Sequence, residues 1–221
     1  MAAQKPRISC EFFPPKTGAG IDRLLTEVMP ALNALGPEFF SVTYGAGGST
    51  RDTTVGLVSS IREAGTDVAP HLSFGSDDES TVAALLETYQ GADIKRLVAL
   101  RGDVPSGTGG PAQLIYASEL VAFIRERTGD HFHIEVAAYP EIHPEATSYD
   151  TDIAFLKTKF DAGADSAITQ YFFNVESYFY FLDQCAAIGI DKPIYAGVMP
   201  IINFSNLIRF SANCGAEIPR W

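Results

Sequence analysis

His133-Ile134-Glu135-Val136-Ala137-Ala138-Tyr139 and, further on, Asp161-Ala162-Gly163-Ala164-Asp165-Ser166-Ala167-Ile168-Thr169-Gln170 bound the passage that decides the fold. Its two ends are short apolar runs of strand length. Between them, Asp150 can cap a helix whose Ile153, Leu156 and Phe160 recur at helical spacing, and Gly163 stands where a C-terminal cap belongs. Strand, helix, strand within about 30 residues is one parallel crossover unit. Working outward, similar runs begin at Ile8, Phe39, Val68, Arg96 and Pro193. The seven predicted strands are thus spaced by about 31 residues, the length of that unit. Gly36, Gly65, Gly129 and Gly189 each follow a helical stretch. Asp22 can cap a helix striped by Leu25, Val28, Met29, Leu32 and Leu35, which Pro30 is expected to kink. Pro105–Pro111 reads as a long loop, and no linker divides the chain, so residues 1–221 are expected to form a single domain.

Parity sharpens the fold class. In the first strand Ile8, Cys10 and Phe12 share one face and Ser9 and Glu11 the other. The same split recurs at Ser41 and Thr43, His71 and Ser73, Arg101, Tyr139 and Gln170. Each strand pairs an apolar face with one that turns polar toward its C-terminal end. Central strands of an open doubly wound sheet are apolar on both faces, whereas TIM barrels carry their chemistry at the C-terminal strand ends. A TIM (β/α)8 barrel is therefore preferred, with an open α/β sheet as the alternative. Seven units nearly exhaust the chain, and a typical barrel takes about 250 residues, so the C-terminal strand and helix are expected to be missing. No GxGxxG follows the first strand, and there is no P-loop.

Composition excludes other classes. The chain is 46% hydrophobic and 19% charged, too apolar for a disordered segment. A formal net charge of −11 argues against nucleic-acid binding. No stretch suits a membrane span or a signal peptide. Cys10, Cys185 and Cys214 are too scattered for a disulfide framework or a zinc site, and no metal is expected. A soluble cytoplasmic protein follows as the expectation.

Several strand ends offer chemistry. Glu11, in Cys10-Glu11-Phe12-Phe13-Pro14-Pro15, lies among aromatics, where desolvation would raise its pKa and suit a general acid; a strand-end ion pair is the plainer reading. Arg101-Gly102-Asp103 offers a bidentate anion grip and a carboxylate, or a salt-bridged loop. The run from Ala137 through Tyr139, His143 and Glu145 can clasp a planar cofactor; its His-x-Glu pair lacks a third metal ligand. His71 reads equally as a ligand contact or an internal histidine. Tyr44-Gly45-Ala46-Gly47-Gly48-Ser49-Thr50 can bring backbone N–H groups to a phosphate, or be a plain loop. Gln170, beside aromatic rings, suits a heterocycle such as a pterin. Phe172 to Phe181 reads as helix-packing core, and Lys159 as a phosphate partner or an exposed lysine.

Taken in series, these segments resemble methylenetetrahydrofolate reductases. The matching pieces are Glu11-Phe12-Phe13-Pro14-Pro15-Lys16, Val42-Thr43-Tyr44-Gly45-Ala46, Ala69-Pro70-His71-Leu72, Ala99-Leu100-Arg101-Gly102-Asp103, Ala137-Ala138-Tyr139-Pro140-Glu141 with His143-Pro144-Glu145-Ala146, Asp161-Ala162-Gly163-Ala164-Asp165 and Ile168-Thr169-Gln170-Tyr171-Phe172. The resemblance implies a TIM barrel that uses FAD and NADH or NADPH to reduce 5,10-methylenetetrahydrofolate to 5-methyltetrahydrofolate for methionine synthesis. It implies Glu11 as general acid, and Asp103 as a carboxylate contacting folate and tuning the flavin. Gln170, Asn206 and Phe210 become substrate contacts. Thr43, Tyr44, Ala46, His71, Arg101, Gly102, Asp103, Tyr116, Ala117, Ala137, Tyr139, His143, Glu145, Asp152 and Lys159 match flavin-cradle positions. A homo-oligomer binding small molecules, without nucleic acid or membrane, completes the expectation.

The chain departs from the family's pattern in places. Phe155 and Thr158 stand where relatives can carry polar flavin contacts, and Asn206 where a glutamine can occur. Family members continue past Ile218-Pro219-Arg220-Trp221 through a last strand and helix. Two alternatives follow: a weakly active or inactive flavin-binding chain completed by a partner subunit, and a flavin-free TIM-barrel lyase or aldolase. The latter lacks a strand-end lysine placed for a Schiff base.

Overall fold

The computed structural model describes residues 6–44, 50–74, 78–101 and 116–220. Seven strands occur where the sequence predicts them: β1 (Cys10–Phe12), β2 (Phe40–Val42), β3 (Val68–Ser73), β4 (Arg96–Leu100), β5 (His133–Ala138), β6 (Ser166–Thr169) and β7 (Ile194–Tyr195). Each is shorter than its apolar run, because the last residues of the run leave the ladder and form the loop. The intervening helices are α1 (Gly18–Arg23), α2 (Met29–Asn33), α3 (Arg51–Glu63), α4 (Glu79–Gly91), α5 (Ala117–Thr128), α6 (Tyr149–Asp161), α7 (Val175–Ala187) and α8 (Phe204–Cys214). None of the described helices is long and apolar enough to cross a membrane.

The chain separates into two compact units, Met1–His133 and Ile134–Trp221. In the first, β1, β2, β3 and β4 lie parallel in chain order, with Glu11 opposite Ser41, Ser41 opposite Ala69 and His71 opposite Val98. In the second, β5, β6 and β7 do the same, with Glu135 opposite Ser166 and Ala167 opposite Ile194. Strand order never reverses, which excludes the doubly wound alternative, whose order switches midway. The architecture is the β/α repeat of a TIM barrel, carried through seven strands among the described residues. The eighth strand and helix implied by the resemblance are not among them.

Helices pack through narrow apolar stripes. In α3 the buried residues are Thr54, Leu57, Val58 and Ile61, and in α5 Ala117, Leu120, Val121 and Ile124. Both sets follow the i, i+3, i+4, i+7 pattern of one helix face. Burying a Leu or Ile side chain contributes roughly 1.5–3 kcal/mol. In α6, Ile153, Leu156 and Phe160 are buried as predicted, but the cap is Ser148, whose hydroxyl accepts from the Thr151 N–H at 3.2 Å. Asp150 falls inside the first turn, where its charge favours the helix N-terminus. The glycines at 36, 65, 129, 163 and 189 all adopt positive φ, as helix stops require.

The first helical stretch differs from expectation. Thr17, rather than Asp22, caps α1, accepting from the Gly20 N–H at 3.2 Å. Leu24–Val28 then form a π-helical turn, and the Met29 N–H bonds the Leu24 carbonyl five residues back. The wider turn brings Leu24 and Met29 to the same buried face, while Val28 and Leu35 of the predicted stripe stay exposed. It also restarts the ladder at α2, placing Pro30 in a first turn that needs no N–H there.

Candidate active site

In the first unit, Glu11 sits in the middle of β1, beside a Phe12–Phe40 ring contact with centroids 5.0 Å apart. Its Oε2 lies 3.3 Å from Nε2 of His71. The register explains the meeting. Glu11 is level with Ser41 and Ala69, and His71 lies two residues further along β3, on the same face. His71 is buried, whereas the Glu11 side chain keeps 46% of its surface exposed. The approach is off line, so it acts as a charge contact with at most a bent hydrogen bond. Burial pushes the Glu11 carboxyl up, but hydrogen bonding and charge from His71 outweigh it and hold the group below its ordinary value. The raised value expected from the aromatic surroundings is overturned, because hydrogen bonding and charge interaction with His71 together outweigh the desolvation of the carboxylate.

The next strand end is built around Thr43. Its N–H donates to the Phe12 carbonyl at 2.9 Å, and its carbonyl accepts the Thr54 hydroxyl of α3 at 3.0 Å. Sequence reading missed Thr54, whose only signal is a hydroxyl on an apolar helix stripe. Tyr44 and Arg101 follow β2 and β4, both half-buried. Tyr116 is exposed and caps α5, its N–H donating to the Glu119 carboxylate at 2.6 Å; Ala117 opens that helix and is buried. Ala46, Gly102 and Asp103 lie outside the described residues.

In the second unit, the loop after β5 gathers most of the remaining candidates. The Tyr139 and His143 rings meet edge to face, centroids 4.6 Å apart. The His143 N–H donates to the Asp152 carboxylate at 2.7 Å, and the Glu145 N–H donates to His143 Nδ1 at 3.0 Å. With Nδ1 accepting, a neutral His143 carries its proton on Nε2 and presents a donor there. The Lys159 ammonium donates to the Ala137 carbonyl at 2.7 Å. Between these residues Ile142 holds φ = +83°, a left-handed conformation costing a β-branched residue about 1–3 kcal/mol. Glu141, unassigned from sequence, accepts the Glu217 N–H at 2.7 Å and ties the loop to the segment after α8. Burial raises the Glu141 pKa, against the opposing pull of that N–H.

Gln170 leaves β6 with its N–H on the Ala138 carbonyl at 2.8 Å, while its own Oε1 accepts the Tyr171 N–H at 3.0 Å. Tyr171 is buried and reaches α8, its hydroxyl 2.9 Å from the Ser211 hydroxyl and 3.4 Å from Cys214 Sγ. It therefore anchors the helix that carries Asn206 and Phe210, which stand one turn apart on a shared face. The Asn206 side-chain oxygen accepts from Arg209. Tyr171→Phe strands the buried Ser211 hydroxyl; a loss of about 1 kcal/mol is expected. Calorimetry should register it as a melting temperature lower by roughly 2–4 °C.

Comparison with known proteins accords with this arrangement. The family model described as methylenetetrahydrofolate reductase matches residues 1–221. The 5,10-methylenetetrahydrofolate reductase of Pectobacterium carotovorum is 43% identical over 215 residues, covering 97% of this chain and 70% of that protein. The Escherichia coli enzyme of the same name is 42% identical, covering 97% and 71%. An Arabidopsis thaliana protein named methylenetetrahydrofolate reductase (NADH) 1 is 39% identical, covering 96% and 38%. Among solved structures, a Clostridium thermocellum protein described as binding two copies of 5-methyl-5,6,7,8-tetrahydrofolic acid superposes with a TM-score of 0.72 at 19% identity, covering 98% of this chain and 74% of that one. A 2,3-dimethylmalate lyase reaches 0.52 at 12% identity, covering 93% and 78%, a likeness of fold alone. With a family model spanning every residue and relatives above 40% identity, the chain belongs to the methylenetetrahydrofolate reductase family.

Proposed function

We propose that the chain reduces 5,10-methylenetetrahydrofolate to 5-methyltetrahydrofolate with FAD as cofactor and NADH or NADPH as reductant, supplying methyl groups for methionine synthesis. The observation that carries this reading is Glu11 in the middle of strand β1, solvent-accessible on one side and held by His71 on the other, in a chain that matches the family throughout. The plant relatives' names support NADH, and methyltetrahydrofolate binding by the Clostridium thermocellum protein supports a folate ligand for this fold.

The residues fit a flavin. The loop after β5 offers a fixed imidazole donor at His143 and the Tyr139 ring, held by Asp152 and by the strained Ile142. FAD, when bound, supplies the two-electron relay between nicotinamide and folate. Ala137, Tyr139, His143, Glu145, Asp152 and Lys159 would hold it, together with Thr43, Tyr44, Ala46, His71, Arg101, Gly102, Asp103, Tyr116 and Ala117. Gln170, Asn206 and Phe210 would orient the folate, with Asp103 as a further contact. Glu11 would give a proton to a ring nitrogen of the substrate, opening its five-membered ring to an electrophilic iminium.

The visible spectrum of the purified protein tests the reading. A yellow protein that bleaches on anaerobic addition of NADH is expected. A protein that stays colourless after incubation with FAD overturns it.

A further inference from the structure

Glu11 presents a contradiction. A general acid must hold a proton when the substrate ring opens, yet the site favours the ionised carboxylate. His71 resolves it. It is 94% buried, and its Nε2 lies 3.3 Å from Oε2 in an off-line approach, with no well-aligned hydrogen-bond partner for that atom among the described residues. The polar groups nearest along β2 and β3, Ser41 and Ser73, are buried and uncharged. Cys10 points to the opposite face of β1, and burial raises its pKa, keeping the thiol neutral. Among the described residues, His71 is the side chain whose hydrogen bonding and charge interaction bear on the Glu11 carboxyl.

We propose that His71 is the proton partner of Glu11, so that the general acid is the pair: its proton rests on the buried imidazole and reaches the substrate through the carboxylate. The proposal rests on the folate-reductase reading above. In the step, the Nε2–H bond of the imidazolium breaks as an O–H bond forms on Glu11. That O–H bond then breaks as an N–H bond forms on the substrate nitrogen and the ring C–N bond opens. The pair ends as neutral imidazole and carboxylate, and a proton from water restores it. A lone carboxylic acid with a depressed pKa is scarcely protonated near neutrality. A shared proton removes that limitation while leaving Glu11 as the group that touches substrate.

Two measurements test the pairing. The first is a carbon-13 NMR titration of the Glu11 side-chain carboxyl, assigned with Glu11→Gln, in the wild type and in His71→Gln. The midpoint is expected to lie below the ordinary glutamate value of about 4.3 in the wild type, and to rise above it in the variant, where only desolvation remains. An unchanged midpoint overturns the proposal. Should His71→Gln fail to fold, by circular dichroism, His71→Asn takes its place. The second is methylenetetrahydrofolate reduction by His71→Ala with and without added imidazole. A kcat loss of about 10²-fold, the range of a lost acid–base partner, that imidazole partly restores supports the proton role; a loss that imidazole leaves unchanged overturns it. Failure of the functional reading looks different: the NMR shift persists while the wild type itself does not reduce methylenetetrahydrofolate.

Discussion

Glu11→Gln is expected to lower methylenetetrahydrofolate reduction by about 10²–10⁴-fold, the range for loss of a positioned general acid, while oxidation of NADH by the flavin-loaded protein stays close to wild type. The amide matches the carboxylate in size and keeps van der Waals contact with His71, so strand β1 has no reason to shift. What it loses is the ability to take a proton from the imidazole and pass it on. Hydride transfer from the nicotinamide requires no protonation of folate, which is why the two half-reactions separate. Anaerobic stopped-flow measurement of each half-reaction decides the matter. Equal loss in both would refute a role confined to protonating folate.

The second large effect is one of stability. Gly197→Ala is expected to cost about 3 kcal/mol or more, at the upper end of overpacking penalties. A Cβ built at this position lies 2.1 Å from the Thr169 carbonyl oxygen, and backbone atoms cannot yield as a flexible side chain would. The Gly197 N–H also donates to the Thr169 hydroxyl at 2.9 Å. Separation of the two would break the bond that ties the end of β6 to the segment leading from β7 to α8. For a chain of this size the melting temperature should fall by roughly 6–12 °C. A calorimetric melt matching wild type would show that the backbone relaxes there at little cost.

Sequence pattern alone located every strand among the described residues, because buried parallel strands are apolar runs at a fixed spacing, while the chain order of the sheet came from the structure. It also placed Tyr139, His143 and Glu145 together just past the fifth strand, since all three lie in one short run. The pairing of Glu11 with His71 was not legible. The residues are sixty positions apart, and only the register of β1, β2 and β3 brings them to one face, with His71 two residues beyond the level of Glu11. Parity had put both on polar faces, which was the available signal. Nothing in the sequence marks the task of Glu141, because its partner is a backbone N–H at Glu217, and backbone groups carry no sequence signature. Tyr171 follows Gln170 in sequence, but its hydroxyl serves the α8 anchor at Ser211, a contact forty residues away that no local pattern signals. The caps at Thr17 and Ser148 were displaced onto nearby aspartates by the same weakness: several residues near a helix start can cap, and the backbone chooses among them.

The π-helical turn at Leu24–Val28 has an evolutionary corollary. Such a turn holds one residue more than an α-helix needs to join the same two ends. Here it spaces Leu24 and Met29 five apart on one buried face, where an uninterrupted helix would space them four apart. A homologue one residue shorter in this interval can therefore keep both anchors and both helix ends in place, with a continuous ladder and no need of proline at position 30. Gaps in alignments of this family should cluster here, in a region where deletion leaves the barrel's geometry intact.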